Sequence, residues 1–140
     1  MVRAARKRTP QVSLKGVFLH AVRAVGGDDR RGGVVAEALD FLQRGFDAHY
    51  ARGHAADGEI LAGDDAYAGA VEIISCLNEP HFVAVASRMI RDGAGHISSG
   101  GEVSLETWVP HLADLLRVIS GESVERSRDR VRRAAREAAG

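Results

Sequence analysis

Apolar residues recur along this chain at helical intervals. Leu14, Phe18, Ala21 and Val25 stand at i, i+4, i+7 and i+11, one face of a first helix. Gly26-Gly27 ends it, because glycine tolerates the left-handed cap, and "DDRRGG" reads as a turn. Val35, Leu39, Leu42, Phe46 and His49 mark a second helix, running to about residue 52, and "GHAADG" breaks it. A third helix carries Ile60, Tyr67, Ala70, Ile74 and Leu77 along one side. "NEP" follows, and Pro80 suits the first turn of a fourth helix, where its missing N–H is not needed. That helix shows Phe82, Ala86, Met89 and Ile90. Residues 93–103 read as a glycine-rich loop. Ser104 is placed to cap a fifth helix bearing Trp108, Leu112, Leu115 and Ile119, closed by Gly121. The last segment, residues 123–139, is a charged helix with a thin stripe of Val124, Val131, Ala135 and Ala138. Aromatic residues are few and no alternation is sustained, so no strand is expected. Six helices without strands predict an all-α, single-domain helical bundle. The expected layout is a basic flexible tail over residues 1–10, a helical domain over 11–121 and a charged helix over 122–140.

A chain of 140 residues is long enough to bury a real core without staples. Its single cysteine, Cys76, excludes an internal disulfide and reads as a small buried hydrophobe. The longest apolar runs fall far short of a membrane span. The basic start "MVRAARKRTP" is followed by no apolar run, so it does not read as a secretory signal, and the cytoplasm is the expected location. Formal net charge is zero, but the ends are basic and the body is acidic. Arg3, Arg6, Lys7 and Arg8 stand without an acid near the start, and the last segment is arginine-rich. Such ends can touch nucleic acid or an acidic partner. A solvated tail is the plainer reading, and in the last helix the arginines alternate with Glu125, Asp129 and Glu137.

Candidate chemistry is sparse. "GAGHISSGG" lacks the Gly-Lys-Ser/Thr of a phosphate loop and no strand precedes it. Asp47, His49, His54, Asp57 and Glu59 lie close in sequence, and a metal site at Asp47, His49 and His54 is one option. On a helix, however, Asp47 and His49 diverge by about 200°, and His54 falls past the expected helix end. No His-Glu-x-x-His or Glu-x-x-His pair supplies further ligands, so no metal centre is expected. His20, His81, His96 and His111 are isolated and read as structural or solvated. Asp64 and Asp65 interrupt an apolar helix, and the simplest account puts a helix start near Gly63, with Asp64 in the first turn.

The segment "ILAGDDAYAGAVEIISCLNEPHFVAVASRMIRDG" resembles the middle of the trans-type polyprenyl diphosphate synthases. Leu61-Ala62-Gly63-Asp64, Tyr67, Asn78, Pro80 and the helix over residues 82–90 follow that family's order. Upstream, "ALDFLQRGFDAHYARG" is similar to the helix carrying the family's first aspartate-rich motif. "LKGVFLHAVRAVGGD" is similar to the first core helix, so the resemblance covers about residues 15–95. It implies part of an isoprenoid-synthase-like fold. The catalytic family carries Asp-Asp-x-x-Asp just after a histidine, to hold Mg²⁺ against a diphosphate. Aligned on His49, those aspartates are replaced by Tyr50, Ala51 and His54. Hard oxygen ligands for Mg²⁺ are thus missing. The resemblance therefore implies a degenerate motif of His49, Tyr50, Ala51, His54 and Asp64. It implies no catalytic residue in this chain, and Mg²⁺ only through a catalytic partner.

Some members of that family are heterodimers in which a short subunit without the aspartate motifs pairs with a catalytic large subunit. This chain resembles such small subunits. The resemblance implies a non-catalytic accessory subunit that helps set product chain length through helix packing. Phe41, Phe46, Tyr50, Ala62, Ala66, Gly69 and Ala70 are the expected interface. The alternative is a small helical regulatory or adaptor protein that uses its basic ends on an acidic partner or, less favoured, nucleic acid.

Overall fold

A computed structural model of the protein describes residues 13–26, 29–50, 57–98 and 104–139. Six helices follow one another: α1 (Leu14–Val25), α2 (Asp29–Tyr50), α3 (Asp57–Ser75), α4 (Pro80–Ser98), α5 (Leu105–Ser120) and α6 (Val124–Ala139). The described residues contain no strand, and the fold is the expected all-α bundle.

Local chemistry explains the helix ends. Ser13 is extended and its Oγ accepts the Gly16 N–H at 2.8 Å, a side-chain cap for α1. The Leu14 N–H is taken by Oε1 of Gln43 at 2.8 Å, which ties the start of α1 to α2. Gly26 closes α1 at φ 65°, the left-handed conformation that glycine adopts at least cost. Asn78 takes φ 56° between α3 and α4, and Pro80 opens α4. Ser104 stands extended before α5 as anticipated, but its side chain makes no capping bond.

Several assignments differ from the sequence reading. "DDRRGG" is mostly helix rather than turn, since α2 begins at Asp29. Its Gly32 lies against Val22 of α1, where an added Cβ would stand 2.9 Å from Cγ1. The glycine serves a close helix crossing. The anticipated loop from residue 93 is also helical as far as Ser98, because Gly93 is buried beneath the Phe46 ring. Cys76 is exposed in the turn after α3 rather than buried. The helix ends at Ser75, and Cys76 is turned to solvent between the buried Ile74 and Leu77.

α2 sits at the centre, packing most extensively on α3 and also touching α1, α4 and α5. The largest buried side chains come from α1 to α5: Phe18, Leu39, Leu42, Ile74, Phe82, Met89, Leu112, Leu115 and Leu116 are all in this group. α6 lies against α1 and α5. Its buried face is Ser127, Val131 and Ala134. The stripe read from sequence is rotated: Val124 and Ala135 are half-buried and Ala138 is exposed. A helix resting on two neighbours turns the bisector of their contacts inward, and the pattern of its own few apolar residues does not set that direction. No described helix is long and apolar enough to cross a membrane.

Candidate functional site

The α2–α3 pairing is made possible by glycine. A Cβ on Gly45 would collide with the Tyr67 ring and stand 3.1 Å from the Gly63 carbonyl oxygen. A Cβ on Gly63 would collide with the His49 imidazole. The two backbones therefore approach until an imidazole and a phenol lie directly on the neighbouring main chain. Gly69 does the same one turn and a half along, where a Cβ would stand 2.9 Å from Cδ2 of Phe41.

At this junction His49, Asp64 and Tyr67 converge. Nε2 of His49 lies 3.5 Å from Oδ1 of Asp64, and Nδ1 lies 3.3 Å from the Tyr67 hydroxyl. The tautomer with a proton on Nε2 satisfies both: it donates toward the carboxylate and accepts from the phenol. Burial, reinforced by the Asp64 charge, pushes the Tyr67 phenol up to about 12. The phenol is therefore neutral and able to donate. Asp64 itself is 61% exposed and His49 19% exposed, so the pair sits at the rim.

From this rim a row of rings crosses the molecule. His49 meets Tyr67 edge-on at 5.2 Å, Tyr67 meets Phe46 at 5.4 Å, and Phe46 stacks on Trp108 at 4.7 Å. Trp108 is followed by His111 at 6.1 Å, and Nε2 of His111 lies 2.9 Å from the Asp92 carboxylate. The row thus joins α3, α2, α5 and α4, with an imidazole–carboxylate pair at each end. Beside it, Asp114 of α5 accepts from Arg88 at 2.8 Å and from Arg117 at 2.7 Å, while His81 contacts the Asp114 carbonyl oxygen at 3.1 Å.

The structure sorts the residues singled out in the sequence. Asp64 does not start a helix: α3 begins at Asp57, two turns earlier, and the carboxylate faces solvent and His49. The cost of an acid in an apolar helix is avoided because this helix shows Asp64 and Asp65 to water. Phe46 and Ala70 are consumed by the chain's own core. Phe41, Ala66 and Gly69 are half-buried and Ala62 is exposed. Arg44 covers the Phe41 ring at 4.5 Å. Asp47 is exposed, and the Tyr50 side chain, Ala51 and His54 lie outside the described residues. Among the described residues no group of three or more His, Cys, Asp or Glu side chains is placed to hold a metal ion. The His111–Asp92 pair was not visible in the sequence. The spacing of His111 three residues after Trp108 was its only trace, and Asp92 comes from another helix.

Chemically, the carboxylate–imidazole–phenol arrangement can fix a ring, a tautomer and the spacing of two helices. A shallow groove of about 500 Å³ lies elsewhere, between α1 and α6, lined by residues including His20, Arg126, Arg133 and Glu137. No family model, curated protein or solved structure matches this chain.

Proposed function

We propose that the protein is a non-catalytic accessory subunit of an isoprenoid diphosphate synthase, acting through helix packing to help set product chain length. The observation that supports this reading is the packing role of the residues at the motif position. The histidine that aligns with the family's metal-binding helix is held by Asp64, Tyr67 and the Gly63 backbone. A retained helix pair with its chemistry converted to packing is what a structural subunit requires. Phe46 and Ala70 are occupied internally, which narrows the proposed partner surface to Phe41, Tyr50, Ala62, Ala66 and Gly69. Mg²⁺ and the diphosphate clamps belong to the catalytic subunit in this reading, and the pair works in the cytoplasm.

The test is recovery of the tagged chain from its own host with bound proteins identified, followed by product analysis. Recovery of a prenyl synthase carrying both aspartate-rich motifs is expected, with products whose length differs from those of the large chain alone. Ala62→Glu, on the exposed face of α3, should abolish the pairing while leaving the helical content intact. An identified prenyl synthase that neither binds the chain nor changes its product length would overturn the proposal.

A further inference from the structure

α6 differs from the other five helices in how it is held. None of the largest fully buried side chains comes from it. Its inward face consists of Ser127, Val131 and Ala134, all short side chains. The Ser127 Oγ is completely buried and has no hydrogen-bond partner among the described residues. An unsatisfied buried hydroxyl opposes docking, since it loses water and receives nothing in return. Along one flank of α6 the packing against α1 is incomplete, leaving the shallow groove of about 500 Å³.

The polar contacts do not compensate. His20–Glu137 at 2.7 Å and Arg132–Glu106 at 3.4 Å tie α6 to α1 and α5, but both pairs are about half exposed, and the arginine pair is open to salt screening. The strongest pair is the two-pronged contact of Arg130 with Glu122, at 2.7 and 2.9 Å. Glu122 lies in the short connection before α6, so this contact fastens the helix to its own beginning. Ser123 Oγ accepts the Arg126 N–H at 3.1 Å, a second contact within the segment. Arginine, glutamate and alanine favour the helix by themselves. Before the segment stands Gly121 at φ 77°, with no described atom within 4 Å of where a Cβ would be.

We propose that α6 is a strap that opens as a preformed helix about Gly121, uncovering the sides of α1 and α5 against which it lies. Its internal bonds survive the opening, while its ties to the rest are short apolar side chains, two half-exposed polar pairs and, across Gly121, the one Glu122 N–H bond to Ser120 Oγ at 3.1 Å. This inference stands independently of the accessory-subunit reading.

Native-state hydrogen exchange on the full chain tests it. Amides of residues 127–134 should exchange about tenfold faster or more than those of residues 108–119, through an opening that exposes less surface than global unfolding. Added salt should widen the gap by screening the Arg132–Glu106 pair. Equal opening free energies for the two segments, with equal urea dependence, would show one cooperative unit and overturn the strap. A dependence on urea of zero would show fraying alone and overturn it too. Ser127→Ala provides a second reading: it should slow exchange in α6 several-fold and leave α2 unchanged. Equal slowing throughout the molecule, or faster exchange in α6, would contradict the proposal.

Discussion

The ring of Phe46 on α2 lies 4.7 Å from the indole of Trp108 on α5, with the two planes 14° apart. Phe46 also meets Tyr67 on one side and covers Gly93 of α4. One side chain thus holds four helices in register. Removing it leaves a hole that α2 cannot close, because Gly45 next to it is already in contact with α3. Phe46→Ala should cost about 3–5 kcal/mol. Urea titration followed by fluorescence checks this, since Trp108 is the single tryptophan, and its emission should shift to the red as water reaches the indole.

Glycines in these helices divide by what stands opposite. Gly45→Ala places a methyl against the Tyr67 ring and the Gly63 carbonyl, and should destabilise by about 1–3 kcal/mol. Gly33→Ala, in α2 with nothing within 4 Å, should instead stabilise by about 0.5–1 kcal/mol through helix propensity. Midpoints of urea unfolding for the two variants should move in opposite directions.

Tyr67 makes stability sensitive to strong alkali. Burial first, and then the Asp64 carboxylate, raise its phenol from 10.0 to about 12. Between these values the folded protein keeps a proton that the unfolded chain has released, so stability falls as pH rises. The contribution is fully present below the unfolded value and is lost as pH climbs through the folded one. Absorbance titration of the two tyrosines should show one phenolate appearing near 12. Tyr67→Phe should remove that component and flatten the alkaline decline in stability.

Cys76 is exposed after α3, its thiol 3.6 Å from the Glu72 carbonyl oxygen. A thiol-specific reagent should label the native protein fully, with stability almost unchanged. Labelling that requires urea would show the thiol to be enclosed.

Helix number and most apolar faces were legible in the chain. Phe18, Leu39, Ile74, Met89 and Leu112 are buried as their spacing requires, because a 3.6-residue period is a local property of the backbone. Glycine misled where it serves packing. Gly32 and Gly93 read as breakers but are contact points inside helices, and a sequence does not state what lies opposite a missing side chain. Asp64 misled in the same way: its role comes from His49, fifteen residues away on another helix.

The sequence by itself determined an all-α chain with a glycine cap at Gly26 and a turn at Asn78-Glu79-Pro80. Each rests on interactions between residues a few positions apart. Tertiary structure alone decided the row of rings from His49 to His111, the exposure of Cys76, and the direction in which α6 faces. Those depend on which helices meet and at what distance. That choice is made by the sum of contacts among distant residues, and no local window of the chain carries it.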